Sequence, residues 1–368
     1  MQILYYAACL VGLFAVIGTF LPLLSYDDFW IRGFDFPRVQ LLILLVVSLA
    51  VLTLTSDSTH SINVTRALQI MSLAALVLQV YRITPYLSIA PVEVVSVGEK
   101  DLDPSNQFDM MISNVLQDND NCMTLIEYVG QRQPDVLLTL ETNKDWEQAL
   151  DEGLSNEFKY TIKVPLENRY GIHLYSKLPI RNQEVMHLIA DSIPSIYTQV
   201  QLKSGSWVNL YCVHPTPPSP TEEATSTGRD AELAMVGKLV TKRGNANTIV
   251  AGDLNDVAWS HSTRLFKRLT GLLDPRKGRG LYSSFHADHW YARWPLDHVF
   301  HSTEFQVVDM GLGPNIGSDH FPIEFVLQFV PSESDRMREG TEEQGDIKEA
   351  HKTIKKAKEG KSDGLIVD

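Results

Sequence analysis

Three cysteines are all the chain has in 368 residues: Cys9, Cys122 and Cys212. No two stand in a C-x-x-C spacing, so neither a thiolate zinc site nor a disulfide framework is suggested, and Cys122 and Cys212 could pair only if the fold brought them together. Positive charge is also scarce. Lys and Arg number 32 against 45 Asp and Glu, a net charge of −13. A protein that coats nucleic acid through phosphate contacts carries a basic face, and this balance speaks against one, although a local basic groove would serve a narrower contact. Charge of either sign is missing altogether from residues 3–24.

That uncharged run is long enough, at about 1.5 Å per residue, to cross a hydrocarbon core ~30 Å thick. Met1 and Gln2 supply no basic n-region, so the run reads as a membrane span rather than a secretory signal. Further apolar runs follow at 39–55 and 67–80, the last containing Gln69 and Gln79 between Arg66 and Arg82. Buried helices of a soluble core are the competing reading. Several long uncharged runs joined by short polar loops argue for spans instead. Tyr5, Tyr6, Trp30, Tyr81 and Tyr86 lie near the run ends, where aromatic rings favour the membrane interface. Arg32 and Arg38 in the first loop against Arg66 in the second favour a cytoplasmic first loop and, after three spans, a cytoplasmic C-terminal region. A margin of one arginine leaves the side undetermined. The sequon Asn63-Val64-Thr65 matters only in a eukaryotic secretory setting.

Composition then divides the chain into a transmembrane helical region at 1–90, a linker at 91–108, a large α/β domain at 109–330 and a charged tail at 331–368. The tail nearly lacks large apolar residues and is expected to be disordered, with at most a solvated helix near 348–358. In the α/β domain short apolar runs read as strands: 110–115, 136–140, 207–213 and 248–251, with a helix at 122–132. A polar residue stands just past each run, and several such strands in one sheet gather those residues along one edge, where sites of layered α/β proteins form.

Glu141 follows its strand directly, and a carboxylate there suits a hard divalent cation with oxygen ligands. Asp253 and Asn255 in Gly252-Asp253-Leu254-Asn255 project from one side if the backbone stays extended, one to hold a metal or activate water, the other to hold a phosphate oxygen. Asp297-His298 and Asp319-His320 each set an acid beside a histidine, a device for proton transfer or charge stabilisation, and His214 ends another strand. Singly, these pieces have plainer readings: a surface glutamate, an Asx turn, loop caps, a histidine satisfied by backbone.

Their order and local contexts strongly resemble the endonuclease/exonuclease/phosphatase superfamily, whose members include pancreatic deoxyribonuclease, abasic-site endonucleases, inositol-polyphosphate phosphatases and neutral sphingomyelinases. The matching pieces lie between about 109 and 330: Ile112-Ser113-Asn114-Val115-Leu116, Leu140-Glu141-Thr142, the stretch from Tyr170 to Ile180, Val213-His214-Pro215, Gly252-Asp253-Leu254-Asn255, Leu296-Asp297-His298-Val299 and Ser318-Asp319-His320-Phe321-Pro322-Ile323. With the apolar first part, the chain looks like the membrane-attached bacterial branch, placed as a multi-pass protein in a bacterial inner membrane.

The resemblance implies a four-layered α/β sandwich, two packed β-sheets flanked by helices, and a Mg²⁺-dependent hydrolase of phosphoester bonds. Mn²⁺ is an admissible substitute. Asn114, Glu141 and Asp319 would gather around the ion. Asp253 would orient or deprotonate the attacking water, Asn255 hold the phosphate, Asp297 orient His320, and His320 contact the phosphate or act as base. His214 sits where the deoxyribonuclease branch has a proposed general acid. Leu116 occupies the place where some branches carry a second ligand, which Asp118 or Asn119 would have to supply. The extra histidines at 285–290 suggest a surface loop near the substrate ahead of a second metal site. The substrate could be nucleic acid, a phospholipid or a small phosphate; the anchor and acidic balance slightly favour the latter two. Arg264, Lys267, Arg268, Arg276, Lys277 and Arg279 form the basic cluster on which a nucleic acid would rest. No protein partner is expected. The alternative is a non-catalytic membrane receptor or scaffold keeping the fold, against which stands the full set of polar positions.

Overall fold

The computed structural model describes residues 1–55, 61–220, 222–332, 337 and 342–362. Three long helices come first: α1 (Gln2–Phe20), α3 (Arg38–Thr55) and α4 (Ile62–Ile83), with the short α2 (Phe29–Arg32) between the first two. These three are long and apolar enough to cross a membrane. Apolar side chains lie both between these helices, as Leu41, Leu45 and Leu52 do, and on their outer faces, unlike a water-soluble bundle. Large apolar side chains point outward, with Ile3 87%, Leu54 79% and Val77 70% exposed. The polar side chains turn inward: Ser48 donates to the Ala8 carbonyl at 2.7 Å, and Gln79 donates to Thr19 at 2.9 Å and accepts from Arg38 at 3.2 Å. Arg38 is also ion-paired with Asp35. Small residues and interhelical hydrogen bonds hold helices together where the surroundings are as apolar as the side chains. This explains Gln79, which breaks the apolar run in sequence yet fills a polar slot inside the bundle.

The remainder builds two sheets. The first has six strands in the order β10-β11-β1-β2-β4-β3, and the second has five in the order β5-β6-β7-β8-β9. Their ranges are β1 Gln107–Asn114, β2 Val136–Leu140, β3 Tyr160–Val164, β4 Ile172–Ser176, β5 Ile180–Met186, β6 Ser195–Gln201, β7 Trp207–Cys212, β8 Thr248–Asp253, β9 Asp297–His301, β10 Phe305–Leu312 and β11 Ile323–Phe329. Each sheet has one parallel pair, β1 with β2 and β7 with β8; the other pairs are antiparallel. Alternation in the strands supplies two buried faces. Met110 and Ile112 of β1 meet Leu210 and Ile249 of the second sheet in the central core. Met111 and Val115 face outward under α5 (Cys122–Arg132) and α6 (Lys144–Leu154), through Leu125, Val129, Trp146 and Leu150. On the far side Tyr211, Val250 and Phe300 lie under α7 (Thr227–Arg243) and α8 (His261–Thr270). Side-chain caps set two of these helix starts: Asn143 accepts from Trp146 N and Ser260 from Thr263 N. The result is the expected four-layered sandwich.

Two stretches depart from the reading by composition. Residues 91–108 pack onto the sandwich. Val94 lies in the central core, and Glu93 pairs with both Lys267 and Lys277. The tail is ordered over α9 (Asp346–Ser362), which spans the helix expected near 348–358 but packs one face on the sandwich where a solvated one was expected. Ala350, Ile354 and Ala357 form a narrow apolar stripe that fits against Ala231 and Ala234 of α7 and against Ile189. Small residues on both helices allow this packing without large side chains, and Arg268–Asp346 at 2.9 Å fixes the start of α9. The rest of the tail, 333–336, 338–341 and 363–368, lies outside the described residues.

Candidate active site

The two parallel pairs run so that the C-terminal ends of β1, β2, β7 and β8 lie at one edge of the sandwich. Asn114 ends β1, Glu141 follows β2, His214 follows β7 and Asp253 ends β8. β9 is antiparallel to β8, so its first residue, Asp297, is opposite Asp253. β11 is antiparallel to β1, and Ile323 pairs with Ile112, which brings the preceding Asp319 and His320 to the same edge.

Asn114 spans the gap between the sheets. Its Nδ2 donates to Glu141 Oε1 at 2.9 Å and to Asp253 Oδ2 at 3.1 Å, while its Oδ1 accepts from Leu116 N. Asp253 and Asp297 are each 1% exposed. His320 lies between them, Nδ1 2.8 Å from Asp297 Oδ2 and Nε2 3.6 Å from Asp253 Oδ2. Burial alone would lower the His320 pKa; the adjacent Asp297 and Asp253 carboxylates outweigh it and raise it to about 10. His214 Nε2 is 3.9 Å from Asp253 Oδ2. Burial raises the Glu141 carboxyl, and Asp319 adds to this against the opposing His214 and Asn114. Asp319 is half-buried, within electrostatic reach of Glu141 and His320. Its neighbour Ser318 donates to the Asn114 carbonyl at 2.8 Å and accepts from His320 N at 3.0 Å, which ties this loop to β1.

All eight residues singled out in the sequence therefore meet at one edge. The way Asn255 gets there differs from expectation. The backbone does not stay extended after Asp253: Asn255 has φ +50°, its N–H bonds Asp253 Oδ1 at 2.8 Å, and its side chain donates to the Pro215 carbonyl at 2.9 Å. The Asx turn and the site are the same feature. Gly252 is required by this turn, because its φ is +145° and a Cβ there would lie 2.0 Å from the Val213 carbonyl oxygen. Glu141 is also left-handed, φ +62°, a conformation uncommon for a non-glycine residue.

The two acid–histidine dipeptides part company. Neighbours on a strand face opposite ways. Asp297 faces the site, whereas His298 faces away, Nδ1 2.7 Å from Arg276 and Nε2 2.8 Å from the Asp256 carbonyl. Burial, helped by Arg276, pushes His298 down to about 3, so it is a neutral structural side chain. Neither Asp118 nor Asn119 replaces a ligand at Leu116: Asn119 binds the Val115 and Ile316 carbonyls, and Asp118 pairs with Arg169 at 2.5 Å. Phe285 of the histidine-rich loop lies against His320, ring centres 4.9 Å apart, and Ala287 N donates to the Asp319 carbonyl. The loop thus covers the site. Among the described residues, the group of metal-capable side chains closest together is Asp253, Asp297 and His320, not the loop histidines. Ser318 and Tyr170 fall in the matching pieces and Phe285 opens the histidine-rich segment, but the sequence assigns none of them a role; Tyr170 has its ring 5.5 Å from that of His214, and small or aromatic residues carry no charge signal by which to assign one.

Residues 113–320 match the Endonuclease/Exonuclease/phosphatase family. The chain belongs to that family. Solved structures with the same fold include D. rerio TDP2 complexed with single strand DNA product, 17% identical over 60% of this chain and 99% of that one, with a TM-score of 0.51. The human Nocturnin catalytic domain with bound sulfate anion is 16% identical over 61% of this chain and 94% of its own, TM-score 0.50. A family protein from Bacteroides thetaiotaomicron is 17% identical over 62% and 99%, also at 0.50. At such identities the likeness bears on the fold. None of the curated proteins compared matches this chain.

Proposed function

We propose that this chain is a membrane-anchored, Mg²⁺-dependent hydrolase of phosphoester bonds, with residues 1–90 as the anchor in a bacterial inner membrane and 109–330 as the catalytic domain. One observation carries this reading: Asn114 links Glu141 to Asp253 while Asp253 and Asp297 flank His320, so oxygen donors and a charged imidazole converge at one point of the sheet edge. The donor set fits a hard cation. Asn114, Glu141 and Asp319 offer one amide and two carboxylate oxygens, the ligand type such a cation takes. Asn114, with its amide turned over, Glu141 and Asp319 would hold the ion. Bound Mg²⁺ would neutralise charge that grows on the phosphoryl oxygens.

The chain's own residues do the rest. Asp253, beside His214 and His320, accepts a proton from the attacking water. Asn255, with its backbone fixed by the Asx turn, presents its amide to a phosphate oxygen. His320 carries positive charge toward the phosphate because Asp297 holds Nδ1. His214 supplies a proton to the leaving oxygen. The Asp253–Asp297–His320 group is better read as this proton-holding chain than as an ion site, since the imidazole is already hydrogen-bonded and Mg²⁺ prefers oxygen.

A small phosphodiester or a phospholipid suits the surroundings better than a nucleic acid. A cleft of about 570 Å³ opens beside Tyr170 and is lined by Asp118, Glu167, Glu222 and Glu223 against Arg169 alone. An acidic lining repels a polyanion. The basic cluster read from sequence is partly neutralised: Glu93 is shared by Lys267 and Lys277, Asp346 meets Arg268 and Asp274 meets Arg276. The TDP2 neighbour was solved with a DNA product, and Nocturnin with an anion, which keeps phosphoester chemistry in view without choosing the substrate. The apolar outer faces of α1, α3 and α4 support the anchor.

The test is hydrolysis of bis-p-nitrophenyl phosphate by the full chain in detergent. Mg²⁺-dependent turnover should vanish with EDTA and fall by about 10³-fold or more in Asp253→Ala and His320→Ala. Turnover that ignores EDTA, or survives both substitutions, would overturn the reading.

A further inference from the structure

We infer that the junction between the helices and the sandwich holds a binding site for the headgroup of an anionic phospholipid, separate from the reaction centre. The inference rests on the membrane-anchored reading above. Two adjoining cavities, about 520 and 310 Å³, share Arg82 and Arg264 in their walls. The larger is also lined by Leu23 and Leu24 past the end of α1, by Arg38 at the start of α3, and by Lys352 of α9. Arg82 lies in the last turn of α4. All three apolar helices thus have an end here, which places the cavities at headgroup depth, with Leu23 and Leu24 to meet acyl chains.

The charge in these walls is unbalanced. Every carboxylate of the larger cavity already has a cationic or histidine partner: Asp35 has Arg38, Asp27 has Lys356, and Glu349 has His261 at 2.5 Å. Arg82, Arg264 and Lys352 have no carboxylate partner among the described residues. Arg264 spends only its Nε, on the Ser260 carbonyl at 3.0 Å. Burial, and after it the neighbouring Arg82 and Arg268, pushes Arg264 down to about 10 against the opposing Asp35. Two guanidiniums converging on a cavity is the arrangement that binds a phosphate diester through paired hydrogen bonds. Juxtamembrane cations draw anionic lipid in the same way. Tyr81, 70% exposed beside Arg82, completes the interfacial setting.

The experiment is native mass spectrometry of the full chain in detergent with phosphatidylglycerol, phosphatidylcholine or inorganic phosphate added. The wild type should retain one phosphatidylglycerol per chain in preference to phosphatidylcholine, and millimolar phosphate should not displace it. Arg82→Gln with Arg264→Gln should weaken retention by about tenfold or more. Lys352→Gln, on an exposed helical position where folding is not at risk, should weaken it less while leaving turnover of a soluble substrate unchanged. Equal retention of the two lipids, equal retention by wild type and the double variant, or displacement by free phosphate would each overturn the lipid site. Carbonate extraction separates the two readings: a chain released from membranes sinks the anchor itself, whereas a chain that stays but shows no lipid preference sinks only the site.

Discussion

Asp297 holds the Nδ1 of His320 at 2.8 Å, although the two are 23 residues apart and Asp297 has His298 for a neighbour. The pairing is made by strand alternation: β9 turns Asp297 to the site edge and His298 to the opposite side. Asp297→Asn keeps the shape but removes the charge that orients and protonates the imidazole. The expected outcome is a fall in kcat of about 10²–10⁴-fold with little change in KM, measured with a p-nitrophenyl diester. Loss of folded protein, checked by thermal melting, would point to a structural role instead.

Glu141 is held at cost to the fold. Its backbone is left-handed, its carboxyl is raised by burial, and Asp319 lies within electrostatic reach. Glu141→Gln should therefore leave the metal-free protein as stable as the wild type, or raise its Tm by about 2 °C or more. The same change should abolish both Mg²⁺-stimulated turnover and the rise in Tm that Mg²⁺ gives the wild type. Differential scanning calorimetry with and without Mg²⁺ distinguishes these effects. A Glu141→Gln protein that Mg²⁺ still stabilises would remove Glu141 from the proposed ion site.

Why so much of the site could be read without a structure follows from these strands. Leu138-Thr139-Leu140 and Ile249-Val250-Ala251 are buried throughout, so the first polar residue after each, Glu141 or Asp253, must emerge at the sheet edge. Parallel pairing then puts those edges together. What was not legible depends on tertiary company. Nothing local distinguishes His298 from His320; one meets Arg276 and the other Asp297. Asn255 reaches the site through a turn, not an extended strand. The α9 stripe of Ala350, Ile354 and Ala357 is too small to register as apolar until Ala231 and Ala234 are seen opposite. Gln79 reads as an interruption until Arg38 and Thr19 are found beside it.

Acid stability should respond to His173. It is fully buried, and neither ring nitrogen has a partner among the described residues. Burial, with Lys163 nearby, lowers it to about 3 from an ordinary 6.5. The unfolded chain thus binds a proton that the folded chain refuses. The stability from keeping His173 neutral is whole above pH 6.5 and is lost as pH falls toward 3. At pH 5 the loss is about 2 kcal/mol, about 1.4 kcal/mol for each pH unit below the unfolded value. His173→Leu removes this proton linkage and an unsatisfied polar ring together. Urea unfolding at pH 7.5 and pH 5 should show a smaller drop for the variant, and an equal drop in both proteins would refute the assignment.

Trp290 and Tyr291 relate the site to the proposed membrane anchor. They are 80% and 59% exposed, on the loop whose Phe285 covers His320. The same loop touches the apolar helical region: Gln40 of α3 donates to the Tyr291 carbonyl at 2.7 Å, and Phe36 meets Trp294 edge-on at 5.7 Å. Two exposed aromatic rings beside the start of an apolar helix occupy the position where such rings enter the interfacial layer. Because Trp290 is so exposed, Trp290→Ala should cost little stability in detergent. On a phosphodiester carried in lipid vesicles it should lower turnover by about tenfold, the loss of part of one ring's burial in the interface. On a water-soluble diester it should change nothing. Equal effects on both substrates would mean that the loop acts through Phe285 on His320 alone and that the ring never meets lipid.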